Sequence, residues 1–329
     1  MRSLADFLKN WNNDSDTIAV HSSGSTGTPK IMYVEKKRML ASAKTTCDFL
    51  HLHKGDTALL CMSLDHIGAQ MVVVRSIERG LHLVEVPPCG HPLANLDKSI
   101  DFAAMVPLQI YNTLQVPQEK ERLKQIKQLI IGGGAMAPEI EEELRSFPNA
   151  VWSTYGMTET LSHIALRRVN GDEASEWYTP LNNVRIRLNE NDCLCILAKN
   201  ICDNELITND IATINNQGQF KIIGRRDNII NSGGLKIQIE EIEQKLHELG
   251  EKNFAIGSYP DKKFGQIVVL LTDGKKNDTK ERISQLPPYW QPKRIVYTTQ
   301  IPLTENGKIA RQKVQEEIKN SMEHEANRQ

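Results

Sequence analysis

The sequence has no long apolar run. Its apolar stretches, such as residues 267–271 (IVVLL), fall far short of the ~20 residues that span a bilayer, so no membrane span is expected. The opening residues, MRSLADFLKNWNNDSD, lack the apolar core of a secretory signal. Neither sign of charge is in excess: 40 Lys and Arg stand against 41 Asp and Glu, a formal net charge of -1. Nonspecific nucleic-acid binders need a basic field that displaces phosphate counterions, so nucleic acid is not expected as a partner. A local basic pocket for a small phosphorylated ligand is still allowed. The six cysteines (Cys47, Cys61, Cys89, Cys193, Cys195, Cys202) are scattered, with no paired CxxC set at zinc spacing. Free thiols in a reducing compartment are expected, and the location is read as cytoplasmic. Internal repeats and low-complexity tracts are missing too.

What is present is an ordinary globular composition, 40% hydrophobic and 25% charged, over 329 residues. At ~150 residues per domain this suggests about two domains. A short polar segment opens the chain, and residues 17–20 then read as a β-type run. Residues 57–62, 81–86, 129–131 and 151–155 read as further strands, and residues 71–79 and 138–145 as helices. The second helix has Pro138 at its start and glutamates in its early turns, as helix polarity favours. Strands alternating with helices predict an α/β fold with parallel sheet character. From about residue 180 the texture changes to short strands between Asn, Asp and Gly turns, at 184–188, 193–197, 212–215 and 220–223. A new unit follows, with a helix over 238–249, strands at 254–257 and 267–272, and a helix near 279–285. The last 15 residues are polar and charged, and fraying is expected there.

The most informative segment is residues 22–30, SSGSTGTPK. Ser22, Ser23, Ser25, Thr26 and Thr28 supply hydroxyls, and Gly24 and Gly27 let backbone N–H groups turn toward one ligand. Lys30 adds a cation. Many donors, small side chains and a positive charge suit a polyphosphate. The spacing is not GxxxxGK[ST], so this is not a Walker loop.

SSGSTGTPK resembles the phosphate loop of the adenylate-forming enzymes, which include acyl- and aryl-CoA ligases, adenylation domains and luciferases. Four more segments match that family in order: YGMTET (155–160), TND (208–210), GRRDNIINSGG (224–234) and PLTENGK (302–308). The resemblance implies a large α/β N-terminal domain with a β-rich subdomain and a small α+β C-terminal domain. Their expected bounds are 1–226, about 180–224 and 227–329, with the C-terminal domain mobile about a hinge at Asp227.

It also implies roles. Ser22, Ser23, Gly24, Ser25, Thr26, Gly27, Thr28 and Lys30 would hold the phosphates of ATP. Gly133, Gly134 and Ala135 would lie along the adenine and Tyr155 would stack on it, beside Gly156. Thr158 would bond the α-phosphate, and Glu159 would hold Mg²⁺, a hard cation that prefers oxygen. Asp210 would accept from both ribose hydroxyls, and Arg225 would touch the ribose as well. The family's motif there is TGD; Asn209 stands for the glycine, and since asparagine tolerates left-handed backbone the turn is expected to survive. Lys308, ordinarily just a solvated loop lysine, is raised by its motif to a catalytic candidate that would bridge the attacking carboxylate and the α-phosphate. His66, in SLDHIGA, would gate the acyl pocket; a histidine packed on an apolar segment is the plainer alternative.

Within the family the likeness is to o-succinylbenzoate–CoA ligases of menaquinone biosynthesis. It rests on MVPLQIYNTL (105–114), YPDKKFGQIVV (259–269), YWQPKRIV (289–296) and GKIARQKV (307–314). Gln109 becomes a pocket candidate, and Arg167 and Arg168 candidates for a second substrate carboxylate. The resemblance implies a small carboxylic acid, ATP, Mg²⁺ and coenzyme A as reactants, and leaves a homodimer open. It does not decide between CoA and a carrier protein as acceptor, nor exclude a non-catalytic relative. Members of the family have well over a hundred residues ahead of the phosphate loop, whereas 21 precede Ser22 here, so an N-terminally short form is expected.

Overall fold

The computed structural model describes residues 2–21, 31–274, 276–304 and 308–326. The chain divides into two compact units. One comprises Met1–Arg187, Cys195–Ile207 and Ile214–Lys221; the other comprises Leu188–Leu194, Thr208–Thr213 and Ile222–Gln329.

The segment expected to be merely polar opens with a helix, α1 (Leu4–Trp11). Ser3 caps it: its hydroxyl accepts from the Asp6 N–H while the Asp6 carboxylate accepts from Ser3 in return. Phe7 and Trp11, one turn apart, are buried and stacked. Sequence reading missed this helix because only two of its residues turn fully inward. Burying Phe7 is worth ~2–3 kcal/mol, enough to hold a short helix against a core.

Strands β1 (Thr17–His21) and β2 (Ile31–Glu35) form an antiparallel hairpin in which His21 pairs with Ile31. There follow α2 (Lys36–Phe49), β3 (Thr57–Leu60), α3 (Ile67–Arg79), β4 (His82–Glu85), β5 (Phe102–Met105), α4 (Pro107–Leu114) and α5 (Pro117–Gln125). Next come β6 (Gln128–Ile131), α6 (Pro138–Leu144), β7 (Ala150–Gly156), β8 (His163–Arg168) and β9 (Thr179–Pro180). Strands β3 to β9 make one sheet in the order β4-β3-β5-β6-β7-β8-β9. The pairs from β4 to β7 are parallel, and those of β8 are antiparallel. The expected α/β fold with parallel character is therefore what the chain adopts.

Alternate residues of these strands feed two cores. Ala58, Leu60, Phe102, Ala104 and Ile130 face α1, α2 and α3. Leu59, Ala103, Met105, Leu129 and Ile131 face α4, α5 and α6. A parallel sheet covered on both faces needs such unbroken apolar runs, and FAAM is buried at every position.

Strands β10 (Arg185–Leu188), β11 (Cys193–Leu197), β12 (Leu206–Ile214) and β13 (Phe220–Arg225) form a four-stranded sheet in that order. Strand β12 corrects one expectation. Asn209 lies inside this nine-residue strand and is not among the positive-φ residues, so the TND motif makes no left-handed turn. Its neighbours explain the extended form, since Ile207 to Ala212 alternate outward and inward as a strand requires.

The second unit continues with β14 (Ile229–Ser232), β15 (Leu235–Gln238), α7 (Ile239–Glu248), β16 (Phe254–Asp261), β17 (Gly265–Thr272), α8 (Lys276–Ser284), β18 (Arg294–Tyr297) and α9 (Arg311–Ala326). Its five strands follow the order β15-β14-β17-β16, with β18 beside β17. Phe254, Ile256, Val268 and Leu270 face α7 and α8, while Ala255, Val269 and Leu271 face Val314 and Ile318 of α9. The fraying expected over the last 15 residues does not hold for 315–326, which lie in α9. A stripe of Val314, Ile318 and Met322 at four-residue spacing covers the sheet's second face, and Ile318 is wholly buried.

None of the six cysteines is in a disulfide. Among the described residues no helix is long and apolar enough to cross a membrane.

Candidate functional site

In the first unit the parallel strands end in loops along one edge of the sheet, where ligands of open α/β sheets bind. His66 follows β3 and is the N-cap of α3; it is exposed, not packed on an apolar segment, and its side chain makes no cap bond. The Gly132–Gly134 turn follows β6. Gly133 has φ +83°, and a Cβ on Gly132 would stand 2.2 Å from Thr154 Oγ1, so the turn lies hard against β7. Ala135 is exposed beside it.

Strand β7 ends at Tyr155 and Gly156, where the register with β8 shifts. A Cβ on Gly156 would meet Ser162 O at 2.3 Å and His163 Cα at 2.4 Å, so only glycine lets the two backbones close. The half-buried Tyr155 ring meets Phe220 edge-on at 5.1 Å and lies 6.0 Å from Tyr178. These rings fix its plane at the mouth of the turn. Thr158–Thr160 form one 3-10 turn, in which the Thr160 hydroxyl accepts from the Met157 N–H and points Glu159 outward. Among the described residues no cation pairs with Glu159 and no group of three metal-ligating side chains occurs.

Gln109 does not serve as a free pocket group. Its Nε2 donates to Cys61 O at 2.9 Å and Cys89 O at 3.0 Å, and its Oε1 accepts from the Val106 N–H. The amide is a brace between the loops after β3 and β4 and the start of α4. Arg167 is likewise engaged, paired with Glu141 and lying over the Tyr178 ring. Arg168 bonds Asn170 and lies over Trp152.

The sequence did not single out a buried polar cluster next to the Tyr155 turn. Arg75 is 1% exposed and donates to Ser162 Oγ at 2.6 Å and Thr46 Oγ1 at 3.4 Å. No carboxylate pairs with it among the described residues, and burial pushes its guanidinium down to about 10. His163 Nε2 lies 3.0 Å from Thr46 Oγ1, and burial first, then Arg75, holds its ring well below the usual histidine range. A helix-borne arginine in an apolar run was the available signal.

Four predicted residues gather in the second unit. Arg225 Nη1 lies 3.2 Å from Asp210 Oδ1, and Arg225 Nη2 lies 3.1 Å from Asp227 Oδ2. Asn209 Nδ2 donates to the same Asp227 oxygen at 3.2 Å. Asp227 itself sits in a single 3-10 turn, Arg226–Asn228. Lys308, some 80 residues further on, lies within electrostatic reach of this group: desolvation and then Arg225 push its ammonium below the usual lysine range, while Asp210 opposes them. Beside Lys308 the residues Leu303 and Ile309 pair, Thr304 N–H donates to Lys308 O and Lys308 N–H donates to Thr304 Oγ1. The predicted phosphate loop, residues 22–30, lies outside the described residues.

Residues 7–197, more than half of the chain, match the family of AMP-binding enzymes. A 2-succinylbenzoate–CoA ligase of Enterococcus faecalis is 26% identical over 336 residues, covering 91% of this chain and 69% of that protein. The first curated relatives are covered over 61–70% of their length. Among solved structures, an acyl-CoA synthetase (AMP-forming)/AMP-acid ligase II-like protein from Dyadobacter fermentans is 34% identical, with TM-score 0.65 over 92% of this chain and 90% of that one. The o-succinylbenzoate CoA synthetase of Bacillus subtilis, solved with its acyl-adenylate intermediate, shares the fold at TM-score 0.75 and 20% identity, over 90% of this chain and 68% of that one. The chain belongs to the family of AMP-binding enzymes.

Proposed function

We propose that the chain is an ATP-dependent acid–thiol ligase that works through an acyl-adenylate. The observation that carries this reading is the Arg225–Asp210 pair with Lys308 within its electrostatic reach. A cation beside a carboxylate that can accept from two ribose hydroxyls is the arrangement an adenylate needs. The substrate carboxylate attacks the α-phosphorus of ATP, and pyrophosphate leaves. Residues 22–30 hold the phosphates, Tyr155 stacks on the adenine along Gly133 to Ala135, and Thr158 bonds the α-phosphate. Lys308 meets the charge that builds between carboxylate and phosphorus, and preorganised charge of this kind is the main source of rate in such transfers.

Glu159 fits Mg²⁺, because its carboxylate is exposed, has no cation partner among the described residues and follows the Tyr155–Gly156 strand end, and Mg²⁺ takes one or two carboxylates plus substrate phosphates. Bound there, the ion neutralises phosphate charge. The C-terminal domain then turns about Asp227, Lys308 withdraws, and the CoA thiol attacks the acyl-adenylate to give thioester and AMP.

For the acid we propose o-succinylbenzoate, supported by the names of the relatives above. The test is a panel of carboxylic acids with ATP and CoA, read as AMP release. Preferred turnover of o-succinylbenzoate is expected. Preference for benzoate or a fatty acid would overturn the substrate but keep the reaction, and no AMP with any acid would overturn the reaction.

A further inference from the structure

Lys308 has to be placed by something, because its side chain is long. Two residues on, the Ala310 N–H donates to Pro302 O, and the chain enters α9 at Arg311. Arg311 is where this segment is fastened. Its Nη1 and Nη2 each lie 2.6 Å from one oxygen of Glu243, a two-pronged ion pair across 68 residues of sequence. Paired prongs of this kind fix direction as well as distance.

Both partners are further engaged. Glu243 Oε1 accepts from the Ile256 N–H at 2.8 Å, and Arg311 Nη1 donates to Ile256 O at 3.2 Å. Glu243 is 9% exposed. The pair therefore closes a ring through α7, β16 and the start of α9. One turn earlier on α7, Glu240 Oε1 accepts from Asn228 Nδ2 at 2.5 Å, and Asn228 follows Asp227 directly. Helix α7 thus holds the Asp227 turn with one carboxylate and the Lys308 segment with another.

We propose that Glu243 and Arg311 are positioning residues for Lys308, which make α7 a rigid strut between the Asp227 turn and the lysine. This rests on the adenylation role given to Lys308 above. The pair touches no substrate. It acts by holding that segment at the height and angle from which the ammonium reaches the forming bond, so adenylation depends on it and thioester formation does not.

The experiment uses the full chain. ATP–pyrophosphate exchange with o-succinylbenzoate reads the first half-reaction, and thioester formation from supplied acyl-adenylate and CoA reads the second. Glu243→Gln and Arg311→Lys should lower exchange at least tenfold and leave thioester formation within twofold. Added to Lys308→Ala, neither should lower exchange further, since the group they place is already gone. Equal loss in both half-reactions, or additive loss on Lys308→Ala, would overturn the proposal. Glu243→Asp keeps the charge with a shorter reach; should Glu243→Gln unfold, it carries the same comparison. If Lys308→Ala itself fails to separate the two half-reactions, the role assigned to Lys308 falls. If it separates them and the Glu243 and Arg311 variants do not, the strut alone falls.

Discussion

Arg225 stands 3.2 Å from Asp210, so a guanidinium and a carboxylate that lie 15 residues apart form one side of a charged cradle. The lysine within their electrostatic reach is tuned by both. Burial and Arg225 lower Lys308, and Asp210 raises it. The charged form is the useful one, and it is lost as pH rises through the lysine's own value. The alkaline limb of ATP–pyrophosphate exchange should therefore fall below the ~10.4 of an ordinary lysine. Arg225→Gln should move that limb up and Asp210→Asn should move it down, whatever either does to the maximal rate. A limb that stays in place in both variants would separate Lys308 from the exchange reaction.

Gly156 and Gly68 should respond oppositely to the same substitution. A Cβ at Gly156 collides with backbone, which cannot yield without moving the whole turn. Gly156→Ala should cut exchange more than tenfold. Gly68 lies inside α3 and its nearest neighbour is the mobile end of Met62 at 3.8 Å. Gly68→Ala should stabilise by about 0.5–1 kcal/mol, as alanine does in a helix. ATP–pyrophosphate exchange checks the first variant and urea titration the second.

His163 predicts an acid-sensitive fold. Its folded value is depressed, so the unfolded chain takes up a proton near pH 6.5 that the native chain refuses. Stability is therefore full above that value and falls as pH drops below it, by up to about 1.4 kcal/mol per pH unit. Unfolding free energy measured at pH 7 and pH 5.5 should fall less steeply for His163→Gln than for the wild type. Equal slopes would show that other groups govern the acid side.

Ile318 is wholly buried on α9. Ile318→Ala should cost about 2–5 kcal/mol, the range for a buried large-to-small change. A drop in the urea midpoint measures it. A loss under 0.5 kcal/mol would mean the helix is not closed on the sheet.

Local chemistry was legible in the sequence and long-range burial was not. The strands expected at 57–62, 129–131 and 267–272, the Pro138 helix start and the apolar face of α7 follow from residue type and spacing, and each appears within two residues of where it is expected. Lys308, Asp210 and Arg225 could be named one by one from their motifs. That they lie near one another could not be read, because more than 80 residues of sequence separate Lys308 from the other two and no local rule spans that distance. The same limit hid Arg75, whose charge looks like an ordinary helix residue until its neighbours Ser162 and Thr46 are known. At Asn209 the family's glycine motif points to a turn, whereas the β-prone flanks Ile207 and Ile211 decide for a strand. The mean polarity of α9 hides its docking face, although a stripe of three apolar residues is all that docking needs.

That stripe also dictates an order of events. Strands β16 and β17 emerge from synthesis long before α9 does, yet the core on one face of their sheet includes Val314 and Ile318 of that helix beside Ile301. Until residues 314–322 are made, Val269 and Leu271 lack part of their cover and are open to water or to whatever chaperone is at hand.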